Sequence, residues 1–539
     1  MLCRKQLTNA LSALPLTFML ASALAVELTP VPSANTKAPG VVRGNELSPE
    51  LSEVPIAYGA NALENPSVAI AYYGYDNNGP MVPAPGAVQS TVSSVEASKT
   101  EPDKNTYLVL DGLRGMDPTF NYGNRFLFQG HEGGVAGYIT RINLDADRDH
   151  RITLLADKDI NGAALPAFDG STWYPWSQRL LFTAELGVNG GVWQATADFP
   201  ALVEDISGAL GRGGYEGIQA DSFGNLWIAE DVGGTTVAPG GRRPNSYIFR
   251  FVPNNPFDLK IGGKLQVLQV MSQAHAGPIV WNSDAATSIL SQDELDLHTY
   301  GKVFDTAWIA IHDTDVQGNS PFDANALARA AGGTPFKRPE NGVFRPGTRF
   351  SEFYFTETGD TNANTQAGST FGGFGGLFKL KQHSPADNQG KLSLFYLGDV
   401  VHTGLDNIQF LTEDQLIVGE DAGDNLHAQR NALDSAFVFN ARADYSHPSN
   451  RPIRFLALGR DASATIDSGL SGSPGFQNDG DNETTGFHVS DGDPSTNGVL
   501  GAKKPKPFKD GWRVFYTQQH GDNITYEIIR SGKRVHHDD

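Results

Sequence analysis

The chain is almost without cysteine. Its single thiol, Cys3, lies in the first few residues, so disulfide staples and thiolate metal ligands are both excluded from the rest of the molecule. Any metal must then be held by oxygen or by one of 13 histidines. Positive charge is also scarce: 41 Lys and Arg against 61 Asp and Glu give a net charge of −20. A phosphate backbone needs a basic face, so this balance argues against non-specific nucleic-acid binding, and no nucleic-acid partner is expected. Beyond residue 25 no apolar run is long enough to span a bilayer. Recognisable nucleophile and nucleotide motifs are missing too: there is no GxSxG, no Walker loop and no HExxH helix, and the glycines of GGFGG at 372–376 are followed by no Lys-Ser/Thr.

What is abundant is glycine, 60 residues, with 31 prolines and 10% aromatics. That composition suits short strands joined by many turns, and long helices are not expected. Residues 1–25 read as a secretory signal: Arg4 and Lys5 open it, LSALPLTFMLASALA is its apolar stretch, and cleavage follows Ala25. Without an Arg-Arg pair the general secretory route is expected, giving a secreted or periplasmic protein. Residues 26–105, rich in Pro, Ala, Ser, Asn and Gly, read as an extended arm with one strand at VAIAYYGY. Hairpin-like segments then fill 106–530, with insertions near 253–338 and 440–510, and 531–539 form a tail. The first insertion contains two short helices, in SQDELDLHTYGK and DANALARAAGG.

Five strand-like segments end on a glutamate: LFQGHE at Glu132, LFTAE at Glu185, LWIAE at Glu230, FYFTE at Glu357 and LIVGE at Glu420. A sixth, VFYTQ, carries Gln518 there, with His520 beyond it. Such a repeat predicts an all-β, six-bladed propeller with charge at its mouth. Four of the acids have an upstream partner at the same distance from a turn: Asp169 with Glu185, Glu216 with Glu230, Glu340 with Glu357, and Asp406 with Glu420. Residues equidistant from a hairpin turn lie side by side, so each pair is expected at the open end of its hairpin. Like charges placed opposite one another are destabilising, and four repeats of that cost predict bound cations. Carboxylates and carbonyls favour Ca²⁺, with Mg²⁺, Mn²⁺ or iron as alternatives. His131 beside Glu132 is a candidate acid/base, and Arg338, two residues before Glu340 in FKRPE, is a candidate oxyanion holder. DADRDHR at 145–151 lacks the glycine and the final glutamate of a calcium loop and reads as a hairpin turn.

The ordered series GHEGG, DGSTWYPW with LFTAE, GRGGYEG, AED with NSYIFRFV, FKRPE, LDNIQF, NETTG and VFYTQQHGD resembles the PhoX-type alkaline phosphatases over about Tyr107 to Asp522. The resemblance implies a secreted six-bladed propeller that hydrolyses small phosphate monoesters with a calcium and iron cluster. It implies Glu132, Glu185, Glu216, Glu340 and Asp406 as metal ligands and Arg338 as the phosphate-holding arginine. Asp169 or a neighbour stands where the family carries its iron-binding cysteine, and an aspartate favours calcium over iron. The expected protein is a monomer with no membrane span. Two other readings fit the acids: a calcium-dependent lactonase or esterase of propeller type, and a non-catalytic scaffold locked by calcium.

Overall fold

The computed structural model describes residues 25–37, 43–75, 100–133, 137–237, 241–362, 365–459, 483–519 and 523–532. The signal segment, Cys3 and His520 lie outside these residues. The fold is all-β and propeller-like, built from antiparallel sheets wound in chain order. The first sheet is Pro102–Val109, Arg125–His131, Ile139–Asn143 and Ile152–Ala156; the second is Ser171–Tyr174, Arg179–Ala184, Gly191–Ala195 and Val203–Asp205.

A nine-stranded sheet follows. It begins with Tyr215–Ala220, Leu226–Glu230, Ile248–Pro253 and Gly263–Val270, and continues through Phe304–Asp313 into Gln389–Leu397, Gly376–Lys381, Glu352–Glu357 and Gly342–Phe344. Next come Leu405–Phe410, Gln415–Glu420, Ser435–Asn440 and Ile453–Ala457, and then Glu483–Ser490, Arg513–Gln519 and Ile524–Arg530.

Short strands form here because both sheet faces are covered. In Arg125–His131, Phe126 and Phe128 pack with Leu180 and Phe182 of the next sheet. Leu127, facing the other way, packs with Tyr107, Ile142 and Phe515. Alternate residues face opposite sides of a strand, so a sheet buried on both faces reads as a nearly continuous apolar run such as RFLF. The first strands meet around one axis. Pro102–Val109 lies against Ser171–Tyr174, and Tyr215–Ala220 against both Ser171–Tyr174 and Gly342–Phe344. Leu405–Phe410 follows against Gly342–Phe344, and Glu483–Ser490 lies between Leu405–Phe410 and Pro102–Val109.

Three expectations about organisation are corrected. Residues 26–105 are not only an arm: Leu51–Ala57 pairs with Ile524–Arg530 and Glu46–Leu47 with Ile453–Ala457, and the 105/106 boundary cuts the strand Pro102–Val109. The N-terminal segment therefore supplies the outer strands of the last two sheets, covering edges that would otherwise expose unpaired backbone. VAIAYYGY forms no strand; Tyr72 makes one isolated bridge to Ala62, while Ile70, Tyr73 and Tyr75 are buried. The segments read as insertions contain sheet strands, Gly263–Val270 in the first, and Ile453–Ala457 and Glu483–Ser490 in the second. The two helices read in the first are Gln292–Leu297, capped by Ser291, and Ala324–Ala330, capped by Asp323, and Ala285–Ile289 and Thr314–Gln317 are short helices besides. DADRDHR is a turn whose Asp145 pairs with Arg125 and whose Asp147 accepts from His150.

A carboxylate cluster on the common axis

The axial acids owe their direction to extra residues in the first strands. Between Pro102 and Asn105, Tyr215 and Ile218, Leu405 and Ile408, and Thr485 and His488 the register shifts by one residue against the second strand. A bulge of this kind bends the strand and re-aims the side chain it carries. Asp103, Glu216 and Asp406 each sit first in such a shift, and Gly486 takes the position in the last sheet. Asp169 and Glu340 stand at the corresponding place, two residues before Ser171 and Gly342, which pair with Phe182 and Phe355.

Among the described residues three carboxylate groups could hold a cation: Asp103, Glu132 and Asp169; Asp169, Glu185 and Glu216; Glu216, Glu340 and Asp406. Within each, one ligand oxygen per residue lies within 4.8 Å of the others. Asp169 and Glu216 are each shared by two groups, so the three form one continuous cluster. The structure thus brings together all six acids proposed as ligands from sequence. It adds Asp103, which sequence reasoning missed by assigning it to the arm; its hairpin partner Glu132 lies beyond an irregular loop rather than a short turn.

Of the four predicted hairpin pairs, Asp169 and Glu185 do meet, whereas Glu230, Glu357 and Glu420 share no group with Glu216, Glu340 and Asp406. Glu132 and Glu185 lie one residue further along their strands than Glu230, Glu357 and Glu420, since His131 faces Pro102 whereas Glu230 faces Tyr215 and Glu420 faces Leu405. A shift of one residue moves a side chain to the opposite face. Glu132 and Glu185 accordingly reach the axis, while the other three turn away from it. Glu420 accepts two bonds from Arg430 at 2.8 and 3.1 Å, Glu357 meets His298 Nε2 at 2.7 Å, and Glu230 accepts from Asn325 Nδ2 at 2.9 Å. The residue after Glu230, Asp231, takes the axial place instead and accepts from Arg338 Nε at 2.7 Å.

His131 is corrected as an acid/base candidate. It is fully buried, stacked on Tyr138, with Nε2 at 2.9 Å from Thr140 Oγ1, and burial holds its pKa well below the ordinary histidine value. It occupies the register position of Glu230 and so faces away from the cluster. Arg338 does stand at the site: Nη2 is 3.2 Å from Glu340 Oε1, and Nη1 donates to Thr361 at 3.1 Å. Its backbone is left-handed, with φ +57°. That conformation is uncommon for a residue with a Cβ, and it is pinned where Thr358 N donates to the Arg338 carbonyl at 2.9 Å.

Electrostatically the cluster is costly as it stands. Burial, with added repulsion from neighbouring carboxylates, pushes Asp103, Asp169, Glu185, Glu216 and Glu340 well above the usual carboxylate range and Asp406 up to about 7. Asp169 Oδ1 and Asp231 Oδ1 are buried with no hydrogen-bond partner. A buried charge persists only when paired or bound to metal, so these orphaned oxygens fit cation ligands. Besides Arg338, a second basic side chain is built in. Lys104, buried in the first bulge, donates to Asn341 Oδ1 at 2.6 Å, a residue that no sequence pattern singled out.

Residues 239–444 match the family model described as alkaline phosphatase PhoX. No curated protein sequence matches the chain. Among solved structures the fold is similar to Pseudomonas fluorescens PhoX in complex with vanadate, a transition state analogue. Identity is 10%, the TM-score is 0.52, and the match covers 94% of this chain and 99% of that one. Sqt1 from Chaetomium thermophilum is more distant, at 11% identity and a TM-score of 0.33 over 76% of this chain and 80% of its own.

Proposed function

We propose that this chain, which belongs to the PhoX-type alkaline phosphatases, is a secreted calcium-dependent phosphomonoesterase whose reaction takes place over the axial carboxylate cluster. The observation that carries this reading is the three overlapping acid groups with unpartnered buried oxygens. Asp103, Glu132, Asp169, Glu185, Glu216, Glu340 and Asp406 would hold divalent ions, which supply Lewis acidity toward a phosphoryl oxygen. The donor set is all oxygen, with Asp169 in two of the three groups, and that chemistry suits calcium better than a thiolate-ligated iron. The same reading takes the fold as six blades, the nine-stranded sheet counting as two joined by Phe304–Asp313.

Arg338 is the phosphate-holding residue in this scheme. Asp231, Glu340 and Thr361 fix its guanidinium from three sides, so its remaining N–H groups are oriented before a substrate arrives. Pre-oriented donors stabilise charge that grows on the non-bridging oxygens without reorganising at the moment of reaction. The positive φ of Arg338 is the local strain that such placement tends to carry. Asn341 holds two ligands in position, donating to Asp406 Oδ1 at 3.0 Å and to Glu216 Oε1 at 3.2 Å.

A substrate panel tests the proposal. Protein supplied with Ca²⁺ should release phosphate from 4-nitrophenyl phosphate at alkaline pH and leave lactones untouched. Arg338→Met should lower kcat/KM by about 10²-fold or more, in line with the loss of an oriented donor. Lactone turnover without phosphate release, or full activity in the Arg338 variant, would refute it.

A further inference from the structure

A cavity of about 400 Å³ opens beside the cluster, on the other side of the strand Leu226–Glu230. Glu230 and Asp231 are consecutive, so one faces this cavity while the other faces Arg338. The cavity wall comes near the cluster at a second point, because Gly187 and Val188 lie two and three residues after Glu185.

Its polar groups are unsatisfied in a specific way. Glu230 is fully buried; Oε2 accepts from Tyr247 N and Asn325 Nδ2, whereas Oε1 has no partner. On the helix Ala324–Ala330, Arg329 is held by its Nη2 to Asn245 and Asn325, stacks over Trp281 and lies by the Tyr247 side chain, while its buried Nε makes no aligned hydrogen bond. A free acceptor and a free donor thus share one cavity. An ammonium ligand would meet Arg329, and an anion would meet Glu230. A neutral hydroxyl can donate to one and accept from the other. Asp323 adds a second carboxylate to the wall, and Val188, Val232 and Ala326 add apolar surface, which suits the C–H face of a polyol ring; the volume falls in the range of small-molecule sites.

We propose that this cavity receives the alcohol portion of the phosphate ester, as a neutral polyhydroxylated group of sugar size, with Glu230 Oε1 accepting a ligand hydroxyl and Arg329 Nε donating to one. The proposal rests on the phosphomonoesterase reading for its link to turnover, though not for the binding itself.

Two measurements separate the claims. kcat/KM for glucose 6-phosphate and for ethyl phosphate is compared in the wild type, in Glu230→Gln and in Ala326→Phe, the last filling the cavity from the exposed side of the helix. The expected result is at least a tenfold preference for the sugar ester in the wild type and a tenfold fall of that ratio in both variants. Equal rates in the wild type, or an unchanged ratio in the variants, would overturn it. Binding of glucose alone, followed by saturation-transfer NMR, is read on the same proteins. If no ester is hydrolysed, the phosphatase reading fails, and glucose contact present in the wild type and absent in Ala326→Phe still supports the cavity assignment. No glucose contact with the wild type would overturn it.

Discussion

Lys104 Nζ donates to Asn341 Oδ1 at 2.6 Å across the axis, and the amide nitrogen of Asn341 then reaches both Asp406 and Glu216. The chain thereby brings a second basic side chain, besides Arg338, into its own carboxylate cluster. Burial draws the Lys104 pKa down, opposed by Asp103, Asp406, Glu216 and Asp169 around it. Removing that charge leaves the acids with a larger unmet demand. Lys104→Met should therefore bind calcium about tenfold more tightly, ~1.4 kcal/mol, in a calorimetric titration of chelated protein. Unchanged or weaker binding would mean that Lys104 does not share the neutralising role.

The acids turned away from the axis need their partners for stability. Arg430 is buried and holds Glu420 through two bonds and Asp434 through a third at 2.9 Å. Breaking a buried pair leaves an uncompensated charge and costs about 3–5 kcal/mol. Arg430→Met should lose that amount in urea unfolding with calcium held in excess. Lys391→Met, which removes an exposed pair with Asp305, should change stability by less than about 1 kcal/mol.

His298 gives the molecule a pH dependence of definite sign. Burial opposes its charged form, but Glu357 and Glu294 outweigh that and raise its pKa above 6.5. A histidine whose folded pKa exceeds its unfolded one contributes stability that is fully present below the unfolded value and is lost as pH rises through the folded value. The stability difference between wild type and His298→Gln should shrink steadily as pH is raised above 6.5. A difference that is flat with pH, or grows, would show that the ring is neutral in the fold.

The N-terminal strand completes the last sheet. Leu51–Ala57 pairs along Ile524–Arg530, and Leu51 packs in the same apolar cluster as Tyr526 and Ile528. Deleting residues 26–57 exposes that edge and its apolar row, so the shortened protein should aggregate on light scattering at concentrations where the full chain stays monodisperse. A monodisperse shortened protein with an unchanged melting transition would contradict this role.

Much of the site can be read in the sequence because carboxylates at strand ends recur: of the nine acids the pattern marks, the six that the family resemblance also places at the metal site converge, and Glu230, Glu357 and Glu420 do not. The apparent unity of the repeat is misleading for a physical reason. LFQGHE and LFTAE end one residue later in register than LWIAE, FYFTE and LIVGE, and with a period of two that single step decides whether an acid meets the axis or a partner such as Arg430. No letter pattern marks the bulges that aim Asp103, Glu216 and Asp406 inward. Asp103 and Lys104 were hidden for a further reason: their strand follows a Pro- and Ser-rich stretch and pairs across a long irregular loop. Asp231 escaped notice because it sits beside a glutamate that matches the repeat better.

Glu216 is shared by two of the three cation groups, so its loss should disable more of the cluster than any unshared ligand. The most direct test is phosphate release from 4-nitrophenyl phosphate by chelated protein as Ca²⁺ is titrated back, in the wild type and in Glu216→Gln. Activity that rises with calcium in the wild type and is reduced at least a hundredfold in the variant at every concentration is the predicted result. Phosphate release that persists in chelator, and that Glu216→Gln leaves unchanged, would contradict the account.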